Sequence, residues 1–90
     1  MFTPEFYTQA QNVAVWHGKA YERAVKRNDL RAADHHAEAI EQVVNNCEHP
    51  ELVAGRVAKA LGRKVAVALF PRRIVETGLR GYRWISTSAY

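Results

Sequence analysis

The apolar positions of residues 6–25 recur every three or four residues, which is the spacing of one face of an α-helix. Thr3 suits the N-cap, and Pro4 and Glu5 suit the first helical turn. The face consists of Tyr7, Ala10, Ala14, His17, Tyr21 and Ala24, widened by Phe6, Val13, Ala20 and Val25. The pattern predicts an amphipathic helix with one broad buried face, in which His17 is partly buried.

A second apolar stripe follows a short break at "KRNDLRA". Asn28 tolerates the left-handed conformation in which many helices end, and Asp29 is a good N-cap for the next helix. The stripe consists of Leu30, Ala33, Ala37, Ile40, Val44 and Cys47. Two amphipathic helices joined by so short a turn are expected to fold back antiparallel. In the expected register His17 faces Ile40, with His36 about one turn away.

Pro50 marks the start of a third predicted helix, because proline disfavours a helical conformation at His49 and fits a first helical turn. The helix is expected to span Pro50–Leu61, and Gly62 either ends it or lies inside it. Its inward residues are expected to be Val53, Val57, Ala60 and Leu61. The next stretch, "VAVALF", fits a helix and a strand equally well.

The C-terminal segment has the composition of two strands. "RIVET" and "YRWIST" are rich in β-branched and aromatic residues and lie on either side of "GLRG", a pattern typical of a β-hairpin. The predicted fold class is therefore mainly α (α+β): an antiparallel helical hairpin and a third helix, followed by a small β-hairpin, in one domain of residues 1–90. The alternative is an all-α protein with an irregular tail.

The 90-residue chain contains a single cysteine, Cys47. One cysteine excludes an intrachain disulfide framework, which favours a reducing compartment such as the cytoplasm. Residues 1–11 lack the pattern of a signal peptide, and the longest apolar run, residues 65–70, is too short to cross a bilayer. We therefore expect a soluble cytoplasmic protein with one modest core.

Charge is distributed unevenly along the chain, whose net charge is +4. Residues 1–51 contain five bases and eight acids, a net charge of −3. Residues 52–90 contain eight bases and one acid, Glu76, a net charge of +7. Asymmetry of this kind indicates contact with nucleic acid, a membrane surface or an acidic protein.

The bases of the C-terminal half are the leading candidate binding residues: Arg56, Lys59, Arg63, Lys64, Arg72, Arg73, Arg80 and Arg83. Basic side chains that contact phosphates release counterions, which supplies most of the non-specific affinity for nucleic acid. Nearby aromatic residues (Tyr82, Trp84 and Tyr90) are able to stack on bases where they are exposed. On a strand, however, Tyr82 and Trp84 share one face, and packing in the core then explains them better.

Trp16 lies off the apolar face of the first helix, on a flank with Lys19, Arg23 and Arg27. These four residues form a secondary candidate patch, because tryptophan beside cations is typical of an interaction surface. The alternative is that Trp16 packs against the C-terminal segment and covers the edge of the core. We favour this alternative, because aromatic side chains dominate small cores.

The sequence indicates neither a metal site nor a catalytic site. In "DHHAEAIE", His36 lies at the margin of the apolar stripe and His35 on the acidic outer face, and a third ligand is missing. Cys47 completes the second stripe, and no phosphate loop or nucleophile motif is present. We expect no enzymatic activity, no cofactor and no small-molecule substrate.

A short stretch of the third helix, "RVAKALG", resembles the first helix of a helix-turn-helix motif. Ala58 and Gly62 occupy the positions of that motif's small residue and turn glycine. The motif continues with an apolar residue and a recognition helix. In this chain Arg63 follows the glycine, and Pro71 shortens the next segment.

The sequence-based hypothesis is a small, non-enzymatic binding or regulatory protein whose basic C-terminal half docks on nucleic acid, mainly through the phosphate backbone. The alternative is a protein-interaction module or inhibitor that caps an acidic surface of a larger protein, such as a nucleic-acid-handling enzyme, as small accessory proteins of mobile elements do. The basic half also allows a homodimer, in which it docks on the acidic hairpin of a second copy. No membrane partner is expected.

Overall fold

The computed structural model describes residues 4–88 of the chain, with the side chains of residues 4–80. Five helices follow one another in this range: α1 (Pro4–Lys26), α2 (Leu30–Asn45), α3 (Pro50–Leu61), α4 (Arg63–Leu69) and α5 (Arg72–Ser88). The part of the chain that the structure describes contains no strand, so the fold is mainly helical. Across residues 4–88 no helix combines the length and apolar character that crossing a membrane requires.

The connection between α1 and α2 confirms the predicted helical hairpin. Asn28 has a positive φ of 59°, as expected for a residue that ends a helix in the left-handed region. Asp29 caps α2, and its carboxylate accepts a hydrogen bond from the backbone N–H of Ala32 at 3.1 Å. These local signals reverse the chain so that α2 packs along α1.

The inner faces of this hairpin are narrower than the sequence pattern predicts. The predicted α1 face is buried or half-buried at Tyr7, Ala10, Ala14, His17, Tyr21 and Ala24. Four other residues expected to face inward are exposed: Phe6, Val13, Val25 and Leu30. The end of α1 near the α2–α3 connection is fixed by two hydrogen bonds. Gln11 donates to the carbonyl oxygen of Leu52 at 3.1 Å, and the N–H of His49 donates to the hydroxyl of Tyr7 at 2.9 Å.

Helix α3 is the central helix of the fold and contacts each of the other four. Its bounds agree with the prediction, and its buried residues are Leu52, Val53, Ala54, Gly55, Val57 and Ala58. Because these residues point in nearly all directions around the helix, only a narrow strip reaches solvent. The strip contains Arg56, Lys59 and Ala60, so the inward prediction for Ala60 is wrong.

The stretch that fitted helix and strand equally well is helical, since it forms α4. Gly62 alone connects α3 to α4, with φ 102° and ψ 151°, a region of backbone conformation that is essentially restricted to glycine. A helix-turn-helix motif has a turn of about three or four residues. The single-residue connection therefore does not form that motif.

The predicted C-terminal β-hairpin is wrong, because residues 72–88 form one continuous helix, α5. Of the two predictions the all-α alternative agrees with the structure in class, although this segment is a regular helix and not an irregular tail. Gly78, taken as part of a hairpin turn, lies where α5 crosses α3 against Gly55. A Cβ atom on Gly78 would overlap the carbonyl oxygen of Glu51 and lie 2.8 Å from the nitrogen of Gly55. The glycine thus permits close helix packing instead of a turn.

Candidate functional site

The bases of the C-terminal half lie on the outer surface of α3, α4 and α5. All seven whose side chains the structure describes are exposed: Arg56, Lys59, Arg63, Lys64, Arg72, Arg73 and Arg80. We call this set the basic face. Arg83 belongs to α5, but its side chain lies outside the described residues, as do those of Tyr82, Trp84 and Tyr90.

The helical register of α5 sets which of its residues face outward. Val75 and Gly78 are buried against α3. Arg73 and Arg80, seven residues apart, share the opposite side, because seven residues make about two helical turns. In the predicted β-hairpin Arg73 belongs to the first strand and Arg80 to the turn, so that prediction did not place the two bases on one face.

Glu76 is the one acid of residues 52–90, and it is enclosed by two bases. It forms an ion pair with Arg63, which joins α4 to α5, and its Oε1 lies 4.0 Å from Nε of Arg72 one turn earlier. Both arginines remain exposed while they hold the carboxylate. Glu76 was not among the predicted site residues, although its four-residue spacing from Arg72 would indicate the contact on a helix.

A surface depression of about 330 Å³ lies where α4 meets the start of α5. Its lining consists of Arg63, Lys64, Val67 and Arg72. Three of these four side chains carry a positive charge, and Val67 contributes an exposed apolar surface. The structure therefore brings together bases that are nine residues apart in sequence, in a concave site that suits an anionic group. Arg56, Lys59, Arg73 and Arg80 lie outside this depression.

Trp16 is on the surface, with 60% of the residue exposed. The expectation that it packs at the edge of the core is therefore wrong. Its indole stands edge-to-face against the imidazoles of His17, at 4.8 Å between ring centroids, and of His36, at 6.0 Å. Lys19, Arg23 and Arg27 are exposed on the same side of α1. We call these four residues the Trp16 patch.

Beside Trp16, His17 and His36 form a hydrogen bond between α1 and α2. Their Nδ1 atoms are 2.9 Å apart, so one must donate and the other must accept, and at least one ring is neutral. The two imidazoles thus meet, across the turn that separates them in the predicted register with Ile40 opposite His17. Burial lowers the pKa of His17 from its usual 6.5, and the charges of His36 and His35 lower it further.

The remaining candidate groups are the side chains able to bind a metal ion and the thiol of Cys47. In the described part of the chain no group of three or more histidine, cysteine, aspartate or glutamate side chains lies close enough to hold a metal ion. The thiol of Cys47 donates to the carbonyl oxygen of Val43 at 3.1 Å. Burial raises the pKa of this thiol, which favours the protonated and less nucleophilic form.

Comparison of the chain with protein-family models, curated proteins and solved structures finds no significant match. The geometry and charge of the basic face and of the Trp16 patch are the observations that bear on function.

Proposed function

We propose that this protein binds nucleic acid through the basic face, mainly by contacts to phosphates, and that it acts as a binding or regulatory protein and not as an enzyme. One observation carries the proposal. The seven described bases of the face are exposed, whereas the single acid of the same half is already paired with Arg63 and Arg72. A partner with a dense negative charge is the chemical complement of such a surface.

Phosphate is the group that these side chains suit best. Arginine presents a planar fork of N–H donors to phosphate oxygens, and lysine provides a mobile point charge. In the depression, Arg63, Lys64 and Arg72 converge on one region from two helices. Contacts of this kind position a nucleic acid without reading its sequence. We therefore propose weak sequence preference and, because a chain with a single cysteine forms no intrachain disulfide, a cytoplasmic location.

The test is fluorescence polarisation with labelled single- and double-stranded DNA and RNA, using nuclease-treated protein in a salt series. Binding through phosphates should weaken linearly on a plot of log affinity against log salt concentration. The slope counts the phosphates that are neutralised, at about 0.9 per contact for duplex DNA and about 0.7 for single strands. Absence of binding to every oligonucleotide at low salt would overturn the proposal and leave an acidic protein surface as the partner to seek.

A matched pair of charge-changing variants locates the binding surface. Arg73→Glu with Arg80→Glu reverses two exposed bases of the basic face, whereas Arg31→Glu with Gln42→Glu and Asn45→Glu makes the same total charge change at exposed positions of α2. The first variant should bind nucleic acid at least about tenfold more weakly. The magnitude of its salt slope should fall by about two, because each phosphate contact contributes about one. The second should retain most of the affinity. Equal losses in both would show that net charge, and not the basic face, controls binding.

A further inference from the structure

Trp16 is a large apolar side chain that the fold leaves in solvent, although burying such a ring would stabilise the protein. Its apolar surface would contribute about 25 cal/mol for each Å² removed from water. The indole is nevertheless 60% exposed, whereas the residues of the hydrophobic core cluster are buried. An exposed tryptophan of this kind is a common anchor of interaction surfaces.

The indole contacts two imidazole rings although it is exposed. The ring of His17 meets it at an interplanar angle of 85°, and the ring of His36 meets it at 76°. The hydrogen bond between the two imidazoles fixes the histidines relative to each other. Because these contacts restrict the indole before a partner arrives, binding to it loses less side-chain entropy.

Three cations follow Trp16 along the same side of α1, at spacings of three, seven and eleven residues. Lys19, Arg23 and Arg27 are exposed, and Arg27 also lies 3.9 Å from Asp29. From Trp16 to Lys26, where α1 ends, the helix rises about 15 Å, at about 1.5 Å for each residue, and Arg27 follows directly. The patch therefore combines one flat aromatic ring with an extended row of positive charge.

We propose that the Trp16 patch binds single-stranded nucleic acid, with one unpaired base stacked on the indole and neighbouring phosphates on Lys19, Arg23 and Arg27. The inference rests on the proposed function and makes it more specific, since it assigns a preference for unpaired nucleotides to a second surface. A duplex keeps its bases stacked on one another and offers the indole only its ends. An acidic peptide matches the cations but supplies no obligatory flat ring. Stacking on an aromatic side chain tolerates any base, because every base has a π-face.

Binding by two variants at one position provides the first test. Trp16→Ala removes the ring, and Trp16→Phe keeps an aromatic surface. Trp16→Ala should weaken binding of an oligo-thymidine by about fivefold to a hundredfold, the range for loss of one stacked base, whereas Trp16→Phe should lose much less. Both variants should bind a blunt duplex as the unmodified protein does, within about twofold. Circular dichroism checks that both variants keep the helical fold.

Fluorescence provides the second test, and it separates stacking from charge. The chain has two tryptophans, so Trp84→Phe leaves Trp16 as the single indole. Oligo-thymidine should quench its emission, whereas inorganic polyphosphate, which has the charge without bases, should bind with little quenching. Poly-glutamate serves as the acidic-peptide control and should not displace the oligonucleotide at matched charge.

The results distinguish failure of this inference from failure of the proposed function. If Trp16→Ala binds single strands normally while the Arg73→Glu, Arg80→Glu variant does not, the inference is overturned and the basic face stands. If polyphosphate quenches as strongly as oligo-thymidine, or poly-glutamate displaces the oligonucleotide, base stacking is likewise overturned. If no nucleic acid binds at low salt, the proposed function fails and this inference fails with it.

Discussion

The α1–α2 hairpin and the crossing of α3 with α5 bring helices together in different ways. In the hairpin, side chains fill the space between the helices, including the hydrogen-bonded imidazoles of His17 and His36. At the crossing, the backbone at Gly55 meets the backbone at Gly78 and leaves no space for a side chain. Side chains change rotamer at little cost, whereas two helix backbones in contact move only as whole helices. The hairpin should therefore tolerate substitution, and the crossing should not.

The surfaces of the two regions differ in charge as well. The outer side of α2 presents exposed acids at Asp34, Glu38 and Glu41, whereas the outer sides of α3, α4 and α5 carry the basic face. The contact between α4 and α5 through Arg63 and Glu76 depends on where the crossing holds α5. Damage to the crossing should therefore affect both stability and the arrangement of the proposed binding surface, whereas damage to the hairpin should affect mainly stability.

The largest effect is expected for Gly78→Ala. The new methyl group would overlap the carbonyl oxygen of Glu51 and crowd the nitrogen and Cα of Gly55, all of which are backbone atoms. Separating the helices should lower the free energy of unfolding by about 3 kcal/mol, the upper part of the range for overpacking. The higher helix propensity of alanine returns about 1 kcal/mol at most. Thermal unfolding followed by circular dichroism should show a fall in Tm of about 10 °C or more.

Gly18→Ala is the matched control, at a position of α1 that faces side chains of α3 and α4. A Cβ on Gly18 would also approach a neighbour closely, at 2.6 Å, but that neighbour is the Cδ1 atom at the end of the flexible Leu61 side chain. Rotation of the Leu61 side chain should relieve most of the overlap. The loss in free energy of unfolding should therefore be well under half of the loss for Gly78→Ala. Equal losses of stability in the two variants would contradict the distinction between backbone contact and side-chain contact.

A smaller loss is expected for Gly62→Ala, at the connection of α3 and α4. No atom lies within 4 Å of the position that a Cβ would occupy, so crowding plays no part. The backbone has φ 102° and ψ 151°, where a residue with a Cβ is strained by about 1 to 3 kcal/mol. Urea unfolding should show a lower midpoint with an unchanged slope. If Gly62→Ala proves as stable as the unmodified protein, the connection is able to adopt another conformation.

Acidification tests the hairpin. Because the pKa of His17 is lowered in the folded protein, the unfolded chain takes up its proton at the higher pH, near 6.5. Stability should therefore be full above about pH 6.5 and should fall as the pH drops from there to the lower pKa of the folded state. A protonated His17 has a proton on both ring nitrogens, so it is no longer able to accept the hydrogen bond that joins α1 to α2.

His17→Gln should flatten this part of the pH dependence, since the amide of glutamine does not titrate. The measurement is the urea midpoint at several pH values between 8 and 5. His49→Gln is the control, because His49 is an exposed histidine in the α2–α3 connection and its replacement should leave the hairpin's response intact. A His17→Gln protein with the same loss of stability on acidification would assign the response to other groups.

The hairpin was predictable because its signals are local. Asn28 and Asp29 end one helix and start the next, and each neighbouring stripe follows helical spacing over several turns. The helical conformation of α5 was not predictable in this way, because Gly78 is a turn signal in the sequence and a packing residue in the structure. The inward residues Ile74, Val75 and Gly78 follow helical spacing, but this pattern is visible in the sequence only when glycine is counted as an inward residue. That role depends on α3, which is distant in sequence.

The candidate surfaces were also predictable only where they do not depend on contacts between segments that are distant in sequence. Exposure of the bases was predictable, because lysine and arginine side chains are rarely fully buried. The enclosure of Glu76 by Arg63 and Arg72 depends on α5 being a helix and on α4 lying beside it. The exposure of Trp16 was missed for a different reason. The prediction relied on the general tendency of aromatic rings to enter a small core and gave less weight to the position of Trp16 on the polar flank of α1. Helical spacing alone would have placed it correctly.

The smallest effect on stability, and the most informative for the basic face, is expected for Glu76→Gln. Partly exposed ion pairs contribute about 0 to 1 kcal/mol, so loss of the contacts to Arg63 and Arg72 should change the free energy of unfolding by less than about 1 kcal/mol. The substitution removes the one acid of residues 52–90 and frees two guanidinium groups for phosphate. Affinity for nucleic acid should therefore rise. The slope of log affinity against log salt concentration should become steeper by the equivalent of about one or two phosphate contacts.

The control is Glu38→Gln, which neutralises an exposed acid on the outer side of α2. It makes the same charge change away from the basic face and should raise the affinity for nucleic acid far less. Weaker binding by the Glu76→Gln protein would mean that Glu76 positions Arg63 and Arg72 for the partner, and that competition with phosphate is not its role.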